Sequence, residues 1–252
     1  MKQRKRSWVL IRGLARNSQH WGEFDRKLQE RFPEDDFEKL DLAGNGFEAH
    51  RQSFLTIEEN VEDLRRRSRF LNEGRKLSLC SISMGSMIAL LWAQKYPDEI
   101  EAVVVMNSSS RSHSRFFERL RPRNYVRFLK MAFDGRDLFR REKDVLEMTT
   151  QKRQDLEEIA ARHAKYPPTS IGNFFRQLWA ASHFHFPENP VRAPVLFLAG
   201  GQDQLVHYVC TQRLAHAWQS ECHIHPTAGH DLPLDAPDWI IERLLSWRET
   251  LV

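Results

Sequence analysis

Short apolar runs alternate with longer amphipathic stretches along most of this chain. The runs are four to six residues long and indicate buried strands at residues 8–11, 37–42, 77–80, 102–106, 195–199 and 222–225. The stretches between them repeat apolar residues every three or four positions, as helices do, at residues 21–31, 57–71, 86–95 and 208–218. This alternation predicts an α/β fold, in which a mainly parallel sheet of about six strands has helices on both faces.

Residues 111–187 break this rhythm, because they contain helical patterns and no convincing strand. Prolines punctuate the segment at Pro167-Pro168 and again near its end at Pro187 and Pro190. We therefore predict a core built from residues 1–110 and 188–252. Residues 111–187 would form a helical lid inserted between the fourth and fifth strands.

Composition narrows the class of protein. With 252 residues, 41% of them hydrophobic, the chain can bury a sizeable core and is neither collagen-like nor disordered. The apolar run that follows the basic N-terminus covers only residues 8–11, too short for a signal peptide or a membrane span. Three scattered cysteines indicate neither a disulfide framework nor a zinc site. We expect a cytoplasmic globular protein without a membrane span.

The strongest chemical signal is a serine between a predicted strand and a predicted helix. Ser83 follows the apolar run at residues 77–80 and precedes the helical pattern at 86–95. In a nucleophile elbow, a strained turn exposes the serine hydroxyl and a helix N-terminus favours developing negative charge behind it. Such a turn needs small neighbours: Gly85 lies two residues after the serine, and Ser81 replaces the usual glycine two residues before it.

A serine nucleophile requires a base and an acid to orient that base. His230 follows the last predicted strand, and Asp203 follows the fifth. Because parallel strands end at one edge of the sheet, the order Ser83, Asp203, His230 predicts a catalytic triad. Asp231 is the competing carboxylate, since it is adjacent to the histidine. His223 and His225 alternate within a strand pattern, where packing is favoured over a metal pair.

With these residues in this order, the chain resembles the α/β-hydrolase superfamily. Arg12-Gly13-Leu14 is similar to the family's His-Gly-x loop, with Arg12 in place of histidine, and the segment from Asp41 to Gly46 resembles a structural turn of the family. The resemblance implies that the backbone N–H groups of Leu14 and Met84 bind the oxyanion. It also implies acyl transfer without a metal ion or an organic cofactor.

The segment 111–187 is strongly basic, with 16 Lys and Arg against 9 Asp and Glu. If residues 111–130 are helical, Arg115 and Arg119 share one face, and Arg123 and Arg127 share another. Such a ridge could bind an anionic partner, such as an acyl carrier protein, coenzyme A or a phospholipid head group. The alternative is a solvated basic face. Nucleic acid is disfavoured, because no binding motif accompanies the charge.

These features predict a carboxylic-ester hydrolase of the serine type. The lid after the fourth strand and its many arginines resemble the pimeloyl-acyl-carrier-protein methyl ester esterases of biotin synthesis, which implies a carrier-bound methyl ester as substrate. Two alternatives stay open at this point. One is a carbon–carbon bond hydrolase or lyase on the same fold, and the other is a catalytically silent binding protein that keeps the fold.

Overall fold

Six parallel strands form a single sheet in the computed structural model, which describes residues 5–127, 137–152, 154–186 and 189–251. The strands are β1 Ser7–Ile11, β2 Asp36–Leu40, β3 Leu77–Ile82, β4 Ile100–Met106, β5 Val195–Gly200 and β6 Glu221–His225. Their order in the sheet is β2-β1-β3-β4-β5-β6, and every neighbouring pair is parallel. The predicted fold class is confirmed.

The central strands β1, β3, β4 and β5 are buried on both faces, which explains why they appear as continuous apolar runs, whereas the edge strands β2 and β6 are partly exposed. Within β1, Val9 and Ile11 belong to one hydrophobic cluster, while Trp8 and Leu10 belong to the cluster on the opposite face. All four side chains are fully buried. The sheet is therefore the middle layer of three.

Helices cover each face. The first face packs against Ile57–Arg67, Met84–Lys95 and Val209–Ala217, and the second against Gly22–Arg31 and Pro237–Glu249. The helix predicted at 57–71 is interrupted at Ser68, whose extended backbone and hydroxyl cap begin the short helix Arg69–Asn72. The sequence pattern did not lead us to predict Pro237–Glu249, although proline at its first position is a common helix start.

Between β4 and β5 the described residues contain helices and no strand: Phe116–Arg119, Leu138–Thr149, Leu156–His163 and Ile171–His183. The division into core and lid stays a prediction, and its boundary at 187 and 188 lies outside the described residues. Within the described ranges, no helix combines the length and apolarity that a bilayer crossing requires.

Candidate active site

The predicted catalytic residues and Leu14 follow strand ends at one edge of the sheet. Leu14 lies in the loop after β1, Ser83 directly after β3, Asp203 after β5, and His230 after β6. Because every strand runs in the same direction, these loops emerge on the same side of the molecule. The topology therefore collects residues that are far apart in sequence.

Ser83 occupies a strained turn between β3 and the helix Met84–Lys95. Its φ of 58° and ψ of −123° are unusual for a residue with a side chain. The turn is held by a hydrogen bond from the Ser83 N–H to the Met106 carbonyl, at 2.8 Å. A Cβ atom at Gly85 would lie 2.4 Å from the carbonyl oxygen of Ile11, so this position requires glycine. The helix begins two residues earlier than its apolar pattern predicted.

Ser81 explains how the elbow does without its usual first glycine. The residue is fully buried, and its hydroxyl donates to the Val104 carbonyl at 2.8 Å, with the Ser86 hydroxyl 3.2 Å away. A buried hydroxyl that has a hydrogen-bond partner avoids the desolvation penalty of an unpaired one. Ser81 is therefore compatible with the turn at Ser83.

His230 and Asp203 are brought together by their loops. The Nδ1 atom of His230 lies 2.7 Å from one carboxylate oxygen of Asp203, and both side chains are buried. The other oxygen of Asp203 accepts the backbone N–H groups of Leu205 and Val206, each at 2.8 Å. These bonds fix the carboxylate, which in turn orients the imidazole.

Asp231 pairs with Arg12, whereas the imidazole of His230 pairs with Asp203. The guanidinium makes two parallel hydrogen bonds to the carboxylate, at 3.1 and 2.8 Å. Burial alone would raise the pKa of Asp231, but the adjacent charge of Arg12 lowers it below its usual value. Arg12 thus stands where the family often has histidine, and it engages the residue after His230.

Asn107 connects the strand ends, and sequence reasoning missed it. Its side-chain amide donates to the carbonyl oxygens of Gly229 and His230, at 3.2 and 2.6 Å, and accepts the N–H of Gly200 at 2.8 Å. It adopts φ of 46°, in the left-handed region that asparagine tolerates better than most residues. An asparagine directly after β4 was the available signal.

The loop after β1 touches the serine directly. A Cβ atom at Gly13 would lie 2.9 Å from the Ser83 Cβ, so glycine permits this close approach. Leu14, Met84, Ser83 and His230 line the same cavity. This arrangement puts the two candidate oxyanion donors beside the candidate nucleophile.

The cavity has a volume of about 520 Å³ and walls that are mainly apolar. Much of its lining comes from the helices between β4 and β5, including Val145, Met148, Phe174, Phe175, Leu178 and Trp179. A pocket of this size and composition suits an apolar acyl group. Of the residues that the structure describes, four arginines, Glu142 and Asp231 are the charged groups at its wall.

The predicted basic ridge is only partly exposed. Arg115, Arg123 and Arg127 are exposed, but Arg119 is buried and donates to the carbonyl oxygens of Ala181 and Ser182. The prediction that Arg115 and Arg119 share an exposed helix face is therefore wrong. The helix Phe116–Arg119 is one turn long, and its last residue turns inward against the end of another helix.

The buried His20 and His163 and the partly buried Glu142 form a cluster whose potential ligand atoms all lie within 4.8 Å of one another. Histidine and carboxylate together are a donor set that zinc accepts. However, Arg16 already pairs with the Glu142 carboxylate at 2.5 Å, so a divalent cation would lie beside a buried guanidinium. Burial lowers the pKa of His20 to about 4 and that of His163 to about 3. We interpret the cluster as structural.

Comparisons with known proteins agree with this fold. The sequence profile of a hydrolase family described as Serine aminopeptidase, S33, matches residues 3–237. No curated protein matches the chain by sequence.

Three solved structures illustrate the similarity, each 18% identical to this chain. A 2-hydroxy-6-oxo-6-phenylhexa-2,4-dienoate hydrolase from Rhodococcus sp. strain RHA1 has a TM-score of 0.77, covering 96% of this chain and 90% of its own. A lipase-esterase related protein from Clostridium acetobutylicum ATCC 824 has a TM-score of 0.74, with 97% and 96% covered. A thermophilic esterase from Thermogutta terrifontis has a TM-score of 0.70, with 98% and 90% covered. At this identity the similarity concerns the fold.

Proposed function

We propose that this chain, which belongs to the α/β-hydrolase family described as Serine aminopeptidase, S33, hydrolyses a carboxylic ester through an acyl-enzyme. One observation carries the proposal. A strained serine and a histidine held by a buried aspartate at 2.7 Å open into the same apolar cavity. An esterase and a lipase-esterase related protein among the similar structures are compatible with it.

In the proposed reaction, the Ser83 Oγ attacks the ester carbonyl while His230 Nε2 takes the hydroxyl proton. Asp203 keeps the Nδ1–H pointing toward its carboxylate and stabilises the imidazolium that forms. The backbone N–H groups of Leu14 and Met84 bind the tetrahedral oxyanion. His230 then returns the proton to the leaving alcohol. Water, deprotonated by the same histidine, then attacks the acyl-enzyme; the bond to the Ser83 Oγ breaks, His230 returns the proton to that oxygen, and the acid is released.

A fluorophosphonate probe and a series of p-nitrophenyl esters of rising acyl length test this proposal. We expect stoichiometric labelling of the wild-type protein, no labelling of Ser83→Ala, and a loss of kcat on the order of 10⁴ to 10⁶. Ser109→Ala is the matched control, because Ser109 is buried at the wall of the same cavity and should not be needed. Undiminished labelling of Ser83→Ala would exclude Ser83 as the nucleophile.

The same experiments separate the alternatives. A similar structure bears the name meta-cleavage product hydrolase, so carbon–carbon bond cleavage is the second candidate on this scaffold. Product analysis distinguishes the two, since an esterase releases an alcohol and an acid. A catalytically silent protein would neither bind the probe covalently nor turn over any ester.

A carrier-bound ester, such as the methyl ester of biotin synthesis, is the narrower form of the proposal. The exposed Arg115, Arg123 and Arg127 could attract an anionic acyl carrier protein. Changing all three to glutamate should raise KM for a carrier-bound ester and leave a small neutral ester unaffected. Arg26→Glu, at an exposed position on the helix Gly22–Arg31, is the matched control. An equal effect on both substrates would remove the carrier from the proposal.

A further inference from the structure

Four arginines line the cavity, and they fall into two kinds. Arg12 pairs with Asp231, and Arg16 pairs with Glu142. Arg119 and Arg141 have no carboxylate within 4.0 Å among the residues that the structure describes, and they donate only to backbone carbonyl oxygens. Two of the four cations at this wall therefore lack a counter-ion.

Arg119 is the more deeply buried of the unpaired cations, with 8% of its surface exposed. Its two terminal nitrogens donate to Ala181 and Ser182, in the last turn of the helix Ile171–His183, and its buried Nε has no hydrogen-bond partner among the residues that the structure describes. A helix C-terminus carries only about half a negative charge, so it offsets the guanidinium in part. Burial accordingly lowers the pKa of Arg119.

Arg141 stands near the opposite end of the same helix and donates to the Thr169 carbonyl at 2.9 Å. It is half-buried, and burial lowers the pKa of its guanidinium as well. The helix between the two arginines has 13 residues, or about 20 Å, and it presents Phe174, Leu178 and Trp179 to the cavity. The wall is thus apolar along its length, with a deeply buried cation at one end.

We propose that the cavity accepts esters carrying a second acid group, and that Arg119 binds its ionised carboxylate. The inference rests on the ester hydrolysis proposed above and specifies its substrate class. A neutral acyl chain would cover Arg119 without pairing it, whereas a carboxylate would supply the missing counter-ion. A site with a buried unpaired donor discriminates strongly against the analogue that lacks the matching acceptor.

The test compares the mono-p-nitrophenyl ester of a dicarboxylic acid with the p-nitrophenyl ester of the monocarboxylic acid of equal chain length. A charge-assisted hydrogen bond adds about 1.5 to 3 kcal/mol, so we expect kcat/KM to favour the half-ester about 10- to 100-fold. The preference should persist at high salt, because a buried pair is screened far less than the exposed ridge arginines.

Variants at Arg119 and Arg141 test which arginine produces the preference for the half-ester. Arg119→Gln should abolish the preference, Arg119→Lys should retain part of it, and Arg141→Gln should keep the wild-type ratio. The ratio is independent of how much folded enzyme each preparation contains. If Arg119→Gln does not fold, inhibition of the wild-type enzyme replaces it. A dicarboxylate should then inhibit at least about 10-fold more tightly than a monocarboxylate of equal length.

Equal rates on the two esters, or loss of the preference in Arg141→Gln but not in Arg119→Gln, would overturn this assignment while leaving ester hydrolysis intact. Turnover of neither ester by a wild-type protein that also resists the fluorophosphonate would instead contradict the proposed function.

Discussion

Arg12 and Asp231 form a buried ion pair that joins two loops of the candidate active site. Their side chains are 4% and 3% exposed, and two hydrogen bonds of 3.1 and 2.8 Å connect them. Arg12 immediately precedes Gly13 and Leu14, and Asp231 immediately follows His230. The pair therefore connects the loop that carries Leu14 to the loop that carries His230.

Breaking this pair from one side should be costly. Asp231→Asn or Arg12→Met leaves one buried charge without its partner, and we expect each to lower the free energy of unfolding by about 3 to 5 kcal/mol. The double variant Arg12→Met/Asp231→Asn removes both charges and should recover most of that loss. Urea denaturation of the four proteins measures the coupling. Additive losses in the double variant would show that the pair contributes no coupling.

The two aspartates near His230 should differ in what they affect. Asp203→Asn leaves the imidazole without the acceptor that holds its productive tautomer, and we expect kcat to fall about 10³- to 10⁴-fold. Asp231→Asn should act mainly on stability and retain much more activity at a temperature where it is folded. Steady-state kinetics on one ester compare them, and the opposite ranking would contradict the geometry.

Asn107 should act as a positioning residue for His230. Asn107→Ala removes three hydrogen bonds that join β4, β5 and the histidine loop, and it also places alanine at positive φ. Asn107→Gly is the matched control, because glycine adopts that φ without strain but lacks the amide. We expect both variants to lower kcat by about 10-fold or more and to shift the pH profile of kcat. The Asn107→Gly variant should be less destabilised than Asn107→Ala. An unchanged kcat and pH profile in the glycine variant would show that Asn107 does not position His230 for catalysis.

Gly85 and Gly172 should respond oppositely to alanine. At Gly85 the new Cβ would lie 2.4 Å from the backbone of Ile11, so the elbow and the loop after β1 must move apart, and we expect loss of activity. At Gly172, apart from its chain neighbours and the nearby backbone of its own helix, no atom of the described residues lies within 4 Å of the new Cβ. Alanine there should be neutral or stabilising by up to about 1 kcal/mol, since it favours the helix. Thermal unfolding and esterase assays report both results; a fully active Gly85→Ala would contradict the close approach of the elbow to Ile11.

The buried histidines should make the protein acid-sensitive. His20 and His163 have pKa values of about 4 and about 3 when folded, against a usual value of 6.5. Below pH 6.5 the unfolded chain therefore binds more protons than the folded one, and stability falls as the pH falls. Lowering the pH from 7.5 to 5 should cost about 2 kcal/mol for each histidine.

Urea denaturation at the two pH values measures this effect. His163→Leu should remove about half of the pH dependence, whereas His50→Gln, at an exposed position, should leave it unchanged. A wild-type protein equally stable at both pH values would contradict the burial of neutral histidines.

The sequence by itself was sufficient for features that depend on local patterns. Strands buried on both faces must be apolar throughout, so their positions and the α/β class could be predicted from short runs of residues. Ser83, Asp203 and His230 could be placed at strand ends for the same reason. The turn at Ser83 was also visible, because it requires small residues at fixed distances from the serine.

Only the tertiary structure decided which distant groups meet. Asp203 and Asp231 both follow strands, and the sequence alone does not show which of them contacts His230. In the fold, Asp203 contacts His230, and Asp231 contacts Arg12, which is 219 residues away in sequence. Arg119 lies four residues after Arg115, a spacing that predicted a shared helix face in a basic ridge. Its helix is only one turn long, however, and Arg119 is buried at the cavity wall. Spacing along a chain determines which side chains share a face. Whether that face meets water, a carboxylate or another helix depends on packing between elements, which no local pattern records.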